Sequence, residues 1–93
     1  MIVSFGDRLT EAIFNGSRPK GFPADIFPAA RRKLGMLDAA PTLRSLMVPP
    51  GNKLHALKGD RAGQHAVRIN DQFRICFVWT DNGPTNVEIV DYH

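Results

Sequence analysis

Two short stretches of the sequence carry side chains that suit acid–base chemistry. The stretch KLHALK contains His55 and Lys58, and the stretch VDYH contains Asp91, Tyr92 and His93. Imidazole has an unperturbed pKa of about 6.5, so a histidine can accept or donate a proton near neutral pH. Two histidines near an ammonium group and a carboxylate can therefore supply both the base and the acid of a reaction.

Cationic side chains accompany these residues. We expect Arg74 and Lys58 to hold a phosphate group, and Lys53, Arg61 and Arg68 to contact further phosphates. Guanidinium and ammonium groups stabilise the negative charge that develops on phosphate oxygens in the transition state. The residue types therefore indicate acid–base cleavage of a phosphodiester.

Other common types of catalytic site are missing from the sequence. One cysteine and three scattered histidines do not form a common zinc-binding spacing. No GxxxxGK[ST] or GxGxxG motif follows a predicted strand, and the GxSxG turn of serine hydrolases is absent. We therefore expect no metal ion and no cofactor.

Each candidate residue also has a simpler structural explanation. His55 would fit the surface of a strand, and Lys58 precedes a glycine in a turn, where lysines are common. Arg74 alternates with apolar residues, and an arginine in mid-strand often pairs with a nearby acid such as Glu88 or Asp71. For each residue taken singly, the structural explanation is better than the catalytic one. The functional hypothesis therefore depends on the occurrence of these residues together.

Length and composition predict one soluble domain over residues 1–93. Hydrophobic residues make up 43% of the chain, and no apolar run approaches the roughly 18 residues that a membrane span needs. The single cysteine, Cys76, suits a reducing compartment, and MIVSFGDRLTE has neither the basic nor the apolar region of a signal peptide. We expect a cytoplasmic protein without a membrane partner.

Positive charge is concentrated in the middle of the chain. The net charge is +3, but residues 18–74 contain eleven Lys/Arg against four Asp/Glu, a balance of +7. The two ends together carry a balance of −4. A basic segment of this kind is typical of proteins that bind polyanions, although a solvated surface is an equally simple explanation.

Two helices are predicted in the first half of the chain, after a short strand at MIVSF. Asp7 can cap a helix that runs to about Phe14, where Asn15-Gly16 ends it. A second helix begins near Asp25, with Pro28 in its first turn, and ends at Pro41. RPKGFP forms the loop between them.

The second half of the chain predicts an antiparallel meander. KLHAL, AVRI, QFRICFVW and NVEIVDY form four strands joined by turns at KGDRAG, Asn70-Asp71 and DNGP. Alternation puts Phe73, Ile75, Phe77 and Trp79 on one face, and it assigns His65 a structural role beside Val67 and Ile69. The predicted fold is α+β, with helices on one face of a mainly antiparallel sheet.

The stretch KLHALKGDRAGQHAVRINDQFRICFVW, followed by IVDYH, resembles the HigB toxins of the RelE/ParE-like superfamily. The shared pattern is KLHxLKGDRxGxxxVRxNxQxRxxFxW and then a terminal (D/E)YH. The VRIxxxFRIxF part is common to the superfamily, whereas His55 with Lys58 and the Asp-Tyr-His end is more specific. Relatives often have an aromatic pair where this chain has Gln64-His65.

The resemblance implies a β-α-α-β4 RelE-like fold and a ribosome-dependent endoribonuclease that cuts mRNA codons in the A site. It also implies a helix-turn-helix, HigA-like antitoxin, the 70S ribosome and mRNA as partners, and contact with operator DNA only through the antitoxin. The positions that match the family's active-site pattern are His55, Lys58, Arg74, Asp91, Tyr92 and His93.

Two other functions stay open at this point. A ParE-like toxin with the same fold would bind DNA gyrase without catalysis, but it would not need the His-Lys and Asp-Tyr-His residues. A basic RNA-binding module would use Arg61, Arg68 and Arg74 for phosphate contacts alone.

Overall fold

The computed structural model describes residues 1–92. Its helices are α1 over Arg8–Phe14 and α2 over Phe27–Ala39. The strands that follow are β1 His55–Ala56, β2 His65–Arg68, β3 Phe73–Thr80 and β4 Gly83–Asp91. Short 3-10 turns over Arg44–Met47, Pro50–Asn52 and Gly59–Arg61 connect the helical half to the sheet and β1 to β2.

The strands form one antiparallel sheet in the order β1-β2-β3-β4. Its register puts four residues in a row across the sheet: His55 lies opposite Ala66, Ala66 opposite Cys76, and Cys76 opposite Glu88. Two helices and a four-stranded antiparallel sheet confirm the predicted α+β class.

The predicted first strand is reduced to a single bridge. Phe5 pairs in parallel with Val87 of β4, and the segment donates from the Val3 N–H to the Pro84 carbonyl at 2.8 Å. A longer ladder is prevented because Pro84 has no N–H and Asn86 adopts a left-handed conformation (φ 51°). Gly83 completes this close approach, since a Cβ there would overlap the carbonyl oxygen of Met1.

Both helices follow their predicted end signals closely. The Asp7 carboxylate accepts a hydrogen bond from the Thr10 N–H at 2.8 Å, as an N-cap residue does. Helix α2 begins two residues later than Asp25, and Pro28 occupies its first turn. The predicted strand KLHAL is shortened to two residues, His55–Ala56. Its first residue, Lys53, has a left-handed backbone (φ 47°), which interrupts an extended chain at that point.

The core lies between the helices and one face of the sheet. The helices contribute Ile13, Ala30, Leu34 and Leu37, and the sheet contributes alternate residues of its strands, among them Val67, Ile75, Phe77 and Val87. His65 extends this face at its edge, where its ring stacks on Phe77 with centroids 6.3 Å apart. Within residues 1–92, the helices α1 and α2 pack on this face alone, and we call the opposite face of the sheet the open face.

Among the described residues, no helix has the length and apolar character needed to cross a membrane.

The attachment of α1 to β4 can be tested by removing a hydrogen bond that joins them. The fully buried Thr10 accepts from the Ile89 N–H through Oγ1 at 2.9 Å. Thr10→Val keeps the shape but removes this acceptor, so the free energy of unfolding should fall by about 1–3 kcal/mol, measured by urea denaturation. Thr10→Ser retains the hydroxyl and should lose less. Equal losses in the two variants would contradict the assignment.

Candidate active site

The open face brings together side chains from all four strands. In the central row, His55, Cys76 and Glu88 project from β1, β3 and β4 to the same side. Arg68 and Arg74 lie opposite each other in the next row, because they are two residues from Ala66 and Cys76. The face therefore combines an imidazole, a thiol, a carboxylate and two guanidinium groups.

Tyr92 is held on this face by three contacts. Its N–H donates to the Gln72 carbonyl at 2.6 Å, and the guanidinium carbon of Arg74 lies 5.5 Å from the centre of its ring. The Cys76 thiol is near enough to its hydroxyl that each group changes the pKa of the other. The ring is thus held beside a cation, and the neighbouring thiol is fully buried.

Burial raises the pKa of Tyr92, and the Cys76 sulfur raises it further. Burial also raises the pKa of the Cys76 thiol above its ordinary value, although the positive charge of Arg61 opposes this. Both groups are therefore neutral near pH 7.

Arg74 is anchored by backbone oxygens. Its Nη1 donates to the carbonyls of Asn70 and Phe73, the second at 3.1 Å. The pairing with Glu88 or Asp71 considered from the sequence is wrong, because Glu88 pairs with Arg61 and Asp71 with Arg68. Within residues 1–92, Arg74 keeps its charge without a carboxylate partner, so it can attract a phosphate.

His55 is exposed, and one of its ring nitrogens has a defined partner. Its Nδ1 lies 2.9 Å from the carbonyl oxygen of Lys53. Because a carbonyl only accepts hydrogen bonds, this contact requires the proton on Nδ1. In the neutral ring Nε2 then carries the lone pair, and it is the nitrogen that can accept a proton.

Lys58 stands three residues from His55, before the 3-10 turn Gly59–Arg61. It is exposed, and the backbone between the two residues is fixed by a hydrogen bond of 2.9 Å from the Leu57 N–H to the Gln64 carbonyl. His55 and Lys58 are therefore both exposed at the two ends of a short, fixed stretch of backbone.

The expected phosphate-binding residues have different surroundings. Arg61 donates to the Glu88 carboxylate at 2.7 Å, a hydrogen bond that raises the pKa of Arg61. Arg68 donates to Asp71 and lowers the pKa of that carboxyl. Lys53 is exposed, and its charge also acts on Asp71. Phosphate binding by these three cations stays a prediction.

Asp91 lies apart from the other candidates. It is opposite Phe73, whose side chain belongs to the core face, so strand alternation turns Asp91 away from the face that carries Tyr92. The side-chain amide of Gln72 donates to its Oδ2 at 3.1 Å. The predicted role of His93 lies outside the described residues.

Within residues 1–92, no group of three or more His, Cys, Asp or Glu side chains is arranged to hold a metal ion. Metal-free chemistry stays a prediction.

Residues 3–93 match a protein family described as "RelE-like toxin of type II toxin-antitoxin system HigB". The chain belongs to this HigB-like family. Toxin HigB-1 of Vibrio cholerae serotype O1 is 36% identical over 87 residues, which cover 92% of this chain and 92% of that protein. Endoribonuclease HigB of Proteus vulgaris is 29% identical over 93 residues, which cover both proteins completely.

This HigB-like toxin brings His55 and Arg74 to one side of its sheet, where Arg74 contacts the ring of Tyr92. Cys76 and Glu88 lie on the same side, and the sequence did not single them out as site residues. Alternation within β3 indicated that Cys76 shares a face with Arg74. The alternation gave no sign that Tyr92 and Arg61 would lie near the Cys76 thiol, because these residues are far from it in the sequence.

The raised pKa of Tyr92 can be tested by titration, since Tyr92 is the only tyrosine in this toxin. We expect its absorbance at high pH to change with a midpoint above that of the unfolded chain, about 10. Because the folded pKa is raised, the stabilisation is complete below pH 10 and is lost as pH rises through the folded midpoint.

Cys76→Ala should move this midpoint back toward the unfolded value, because the influence of the thiol on the Tyr92 hydroxyl is lost. The same midpoint in native protein and in urea would contradict the raised pKa.

Proposed function

We propose that this HigB-like toxin is a ribosome-dependent endoribonuclease that cuts mRNA codons in the A site and so inhibits translation. The observation that carries the proposal is the open face, on which an exposed imidazole and a guanidinium without a carboxylate partner among residues 1–92 accompany an aromatic ring. The printed name of the Proteus vulgaris relative, Endoribonuclease HigB, supports the same activity.

The reaction proposed for this face is attack by the 2′-hydroxyl of the substrate on its neighbouring phosphate. A base removes the hydroxyl proton, the 2′-oxygen bonds to phosphorus, and the bond to the 5′-oxygen breaks. The leaving oxygen takes a proton from an acid. The products are a 2′,3′-cyclic phosphate and a 5′-hydroxyl, formed without a metal ion.

His55 and His93 form the proposed proton-transfer pair. The Nε2 of His55 is suited to the role of base, since Nδ1 is committed to the Lys53 carbonyl. Lys58 and Arg74 stabilise the charge on the phosphate oxygens. Asp91 is assigned a weaker role as an orienting group, because strand alternation directs it to the other side of β4.

The proposed contact between Tyr92 and the substrate is made by the aromatic ring of Tyr92. Because Tyr92 is exposed, its aromatic ring is accessible and suits stacking on an unpaired base. Arg74 beside the ring adds a cation that can interact with the same nucleotide.

The proposed partners are the 70S ribosome, mRNA and a helix-turn-helix, HigA-like antitoxin, with operator DNA contacted only through the antitoxin. The family itself consists of toxins that act in pairs with antitoxins. A protein that acts on translating ribosomes works in the cytoplasm, and we propose that location.

The ParE-like alternative, gyrase binding without catalysis, has no specific support from the open face. An RNA-binding module would be favoured only if the toxin bound ribosomes without producing new RNA ends.

The decisive experiment is cleavage of a short mRNA on programmed ribosomes, with the 3′ ends mapped. Wild-type protein should cut in the A-site codon and leave the same mRNA intact without ribosomes. No cut with ribosomes, together with inhibition of gyrase supercoiling, would replace the nuclease by the ParE-like function.

His55→Ala and His93→Ala should each lower the single-turnover cleavage rate by roughly 10²–10⁴-fold, the usual contribution of a positioned acid or base. Arg31→Ala is the control, since Arg31 is an exposed residue of α2. If the double histidine variant lost less than ~10-fold, the proton-transfer assignment would fail.

Tyr92→Phe should cut at nearly the wild-type rate, because it keeps the aromatic ring. Tyr92→Ala should lose roughly 5- to 150-fold, which corresponds to the loss of one base–aromatic stack. Cleavage rates on programmed ribosomes compare the two variants. A severe loss with phenylalanine would instead assign the chemistry to the hydroxyl.

A further inference from the structure

Arg61 connects the turn between β1 and β2 with strand β4. Its backbone belongs to the turn Gly59–Arg61 between β1 and β2, and its guanidinium reaches Glu88 on β4. Strands β2 and β3 lie between these points, at about 4.8 Å per strand. The positive charge of Arg61 consequently acts on both Cys76 and Tyr92.

The guanidinium is fixed by two acceptors on a single nitrogen. Nη1 donates to the Gln64 Oε1 at 3.0 Å and to the Glu88 Oε1 at 2.7 Å. A guanidinium has five N–H groups, and Nη1 carries two of them. Within residues 1–92, these two hydrogen bonds leave the edge formed by Nε and Nη2 for another acceptor.

That remaining edge matches a phosphate. Two parallel N–H groups of arginine bind the oxygens of a phosphate in a bidentate manner, which fixes its orientation as well as its charge. Arg61 is only partly exposed, with 35% of its side chain accessible, so its position is defined rather than sampled freely in solvent.

We infer that Glu88 is a positioning residue: with Gln64 it holds Arg61 across the open face so that the Nε–Nη2 edge binds a phosphate of the RNA. This inference rests on the proposed function, which it extends to two residues that the family pattern quoted above does not include. Glu88 itself does not touch the substrate.

The direction in which RNA binding changes when Glu88 is removed distinguishes the positioning role from a simple effect of charge. Removal of an acid from a face that binds RNA makes the face more positive, and on charge alone it should strengthen binding. The positioning role requires the opposite, since Arg61 without its anchors loses its fixed orientation.

The first test compares kcat/KM for mRNA cleavage on programmed ribosomes. Glu88→Ala should lower it by roughly 10-fold, and Glu88→Gln, which keeps an acceptor oxygen, should lose less. Asp60→Ala is the matched control: Asp60 is exposed next to Arg61 and forms no ion pair within the described residues. An increase with Glu88→Ala would overturn the inference.

A double-mutant cycle tests whether Glu88 acts through Arg61. In an Arg61→Ala background, Glu88→Ala should change the rate by less than ~2-fold, because there is no longer a guanidinium to position. The same loss in both backgrounds would overturn the inference. Gln64→Ala carries the same test if Glu88→Ala fails to fold, as judged by circular dichroism.

Binding measurements separate this inference from the proposed function. The probe is an RNA oligonucleotide with a 2′-deoxy sugar at the cleavage position, and its affinity is measured at several salt concentrations. Arg61→Ala and Glu88→Ala should each reduce the salt slope by about 0.7, the value for one phosphate contact on a single strand. An unchanged slope for Glu88→Ala overturns the positioning role, whereas failure of the wild-type toxin to cleave mRNA overturns only the nuclease.

Discussion

Coverage of the sheet on one side only is the constraint on which the rest of this toxin depends. Helices α1 and α2 pack on the face that carries Val67, Ile75, Phe77 and Val87. Successive residues of a strand point to opposite sides, so the same strands must present their other residues away from the helices. The core and the candidate active site are thus two faces of one hydrogen-bonded sheet, and a shift of one residue in register would exchange them.

The arginines of the open face differ in the partners that hold them. Arg61 and Arg68 are paired with Glu88 and Asp71, whereas Arg74 is held by backbone carbonyls and has no carboxylate partner within residues 1–92. An ion pair orients a guanidinium but offsets its charge, while a carbonyl orients it and leaves the charge in place. This difference supports the proposed roles, in which Arg74 attracts a phosphate directly and Arg61 makes a contact whose geometry is set by its anchors.

Family membership and the structure support the proposed nuclease in different ways. The match over residues 3–93 and two relatives that cover at least 92% of the chain identify a HigB-like toxin. The structure adds why particular side chains suit RNA cleavage: the Lys53 carbonyl selects a tautomer of His55, and Arg74 lies beside the exposed ring of Tyr92. Neither of these contacts is visible in the family pattern.

Local signals in the sequence determined the fold class, both helices and the antiparallel meander. Asp7, Pro28 and the alternation of β3 act within a few residues, so the sequence alone was enough to interpret them. The parallel approach of residues 3–6 to β4, the pairing of Arg61 with Glu88 and the direction of Asp91 were decided by tertiary structure. These features join residues that are far apart in the chain, and their partners are selected only when the register of the sheet brings them together.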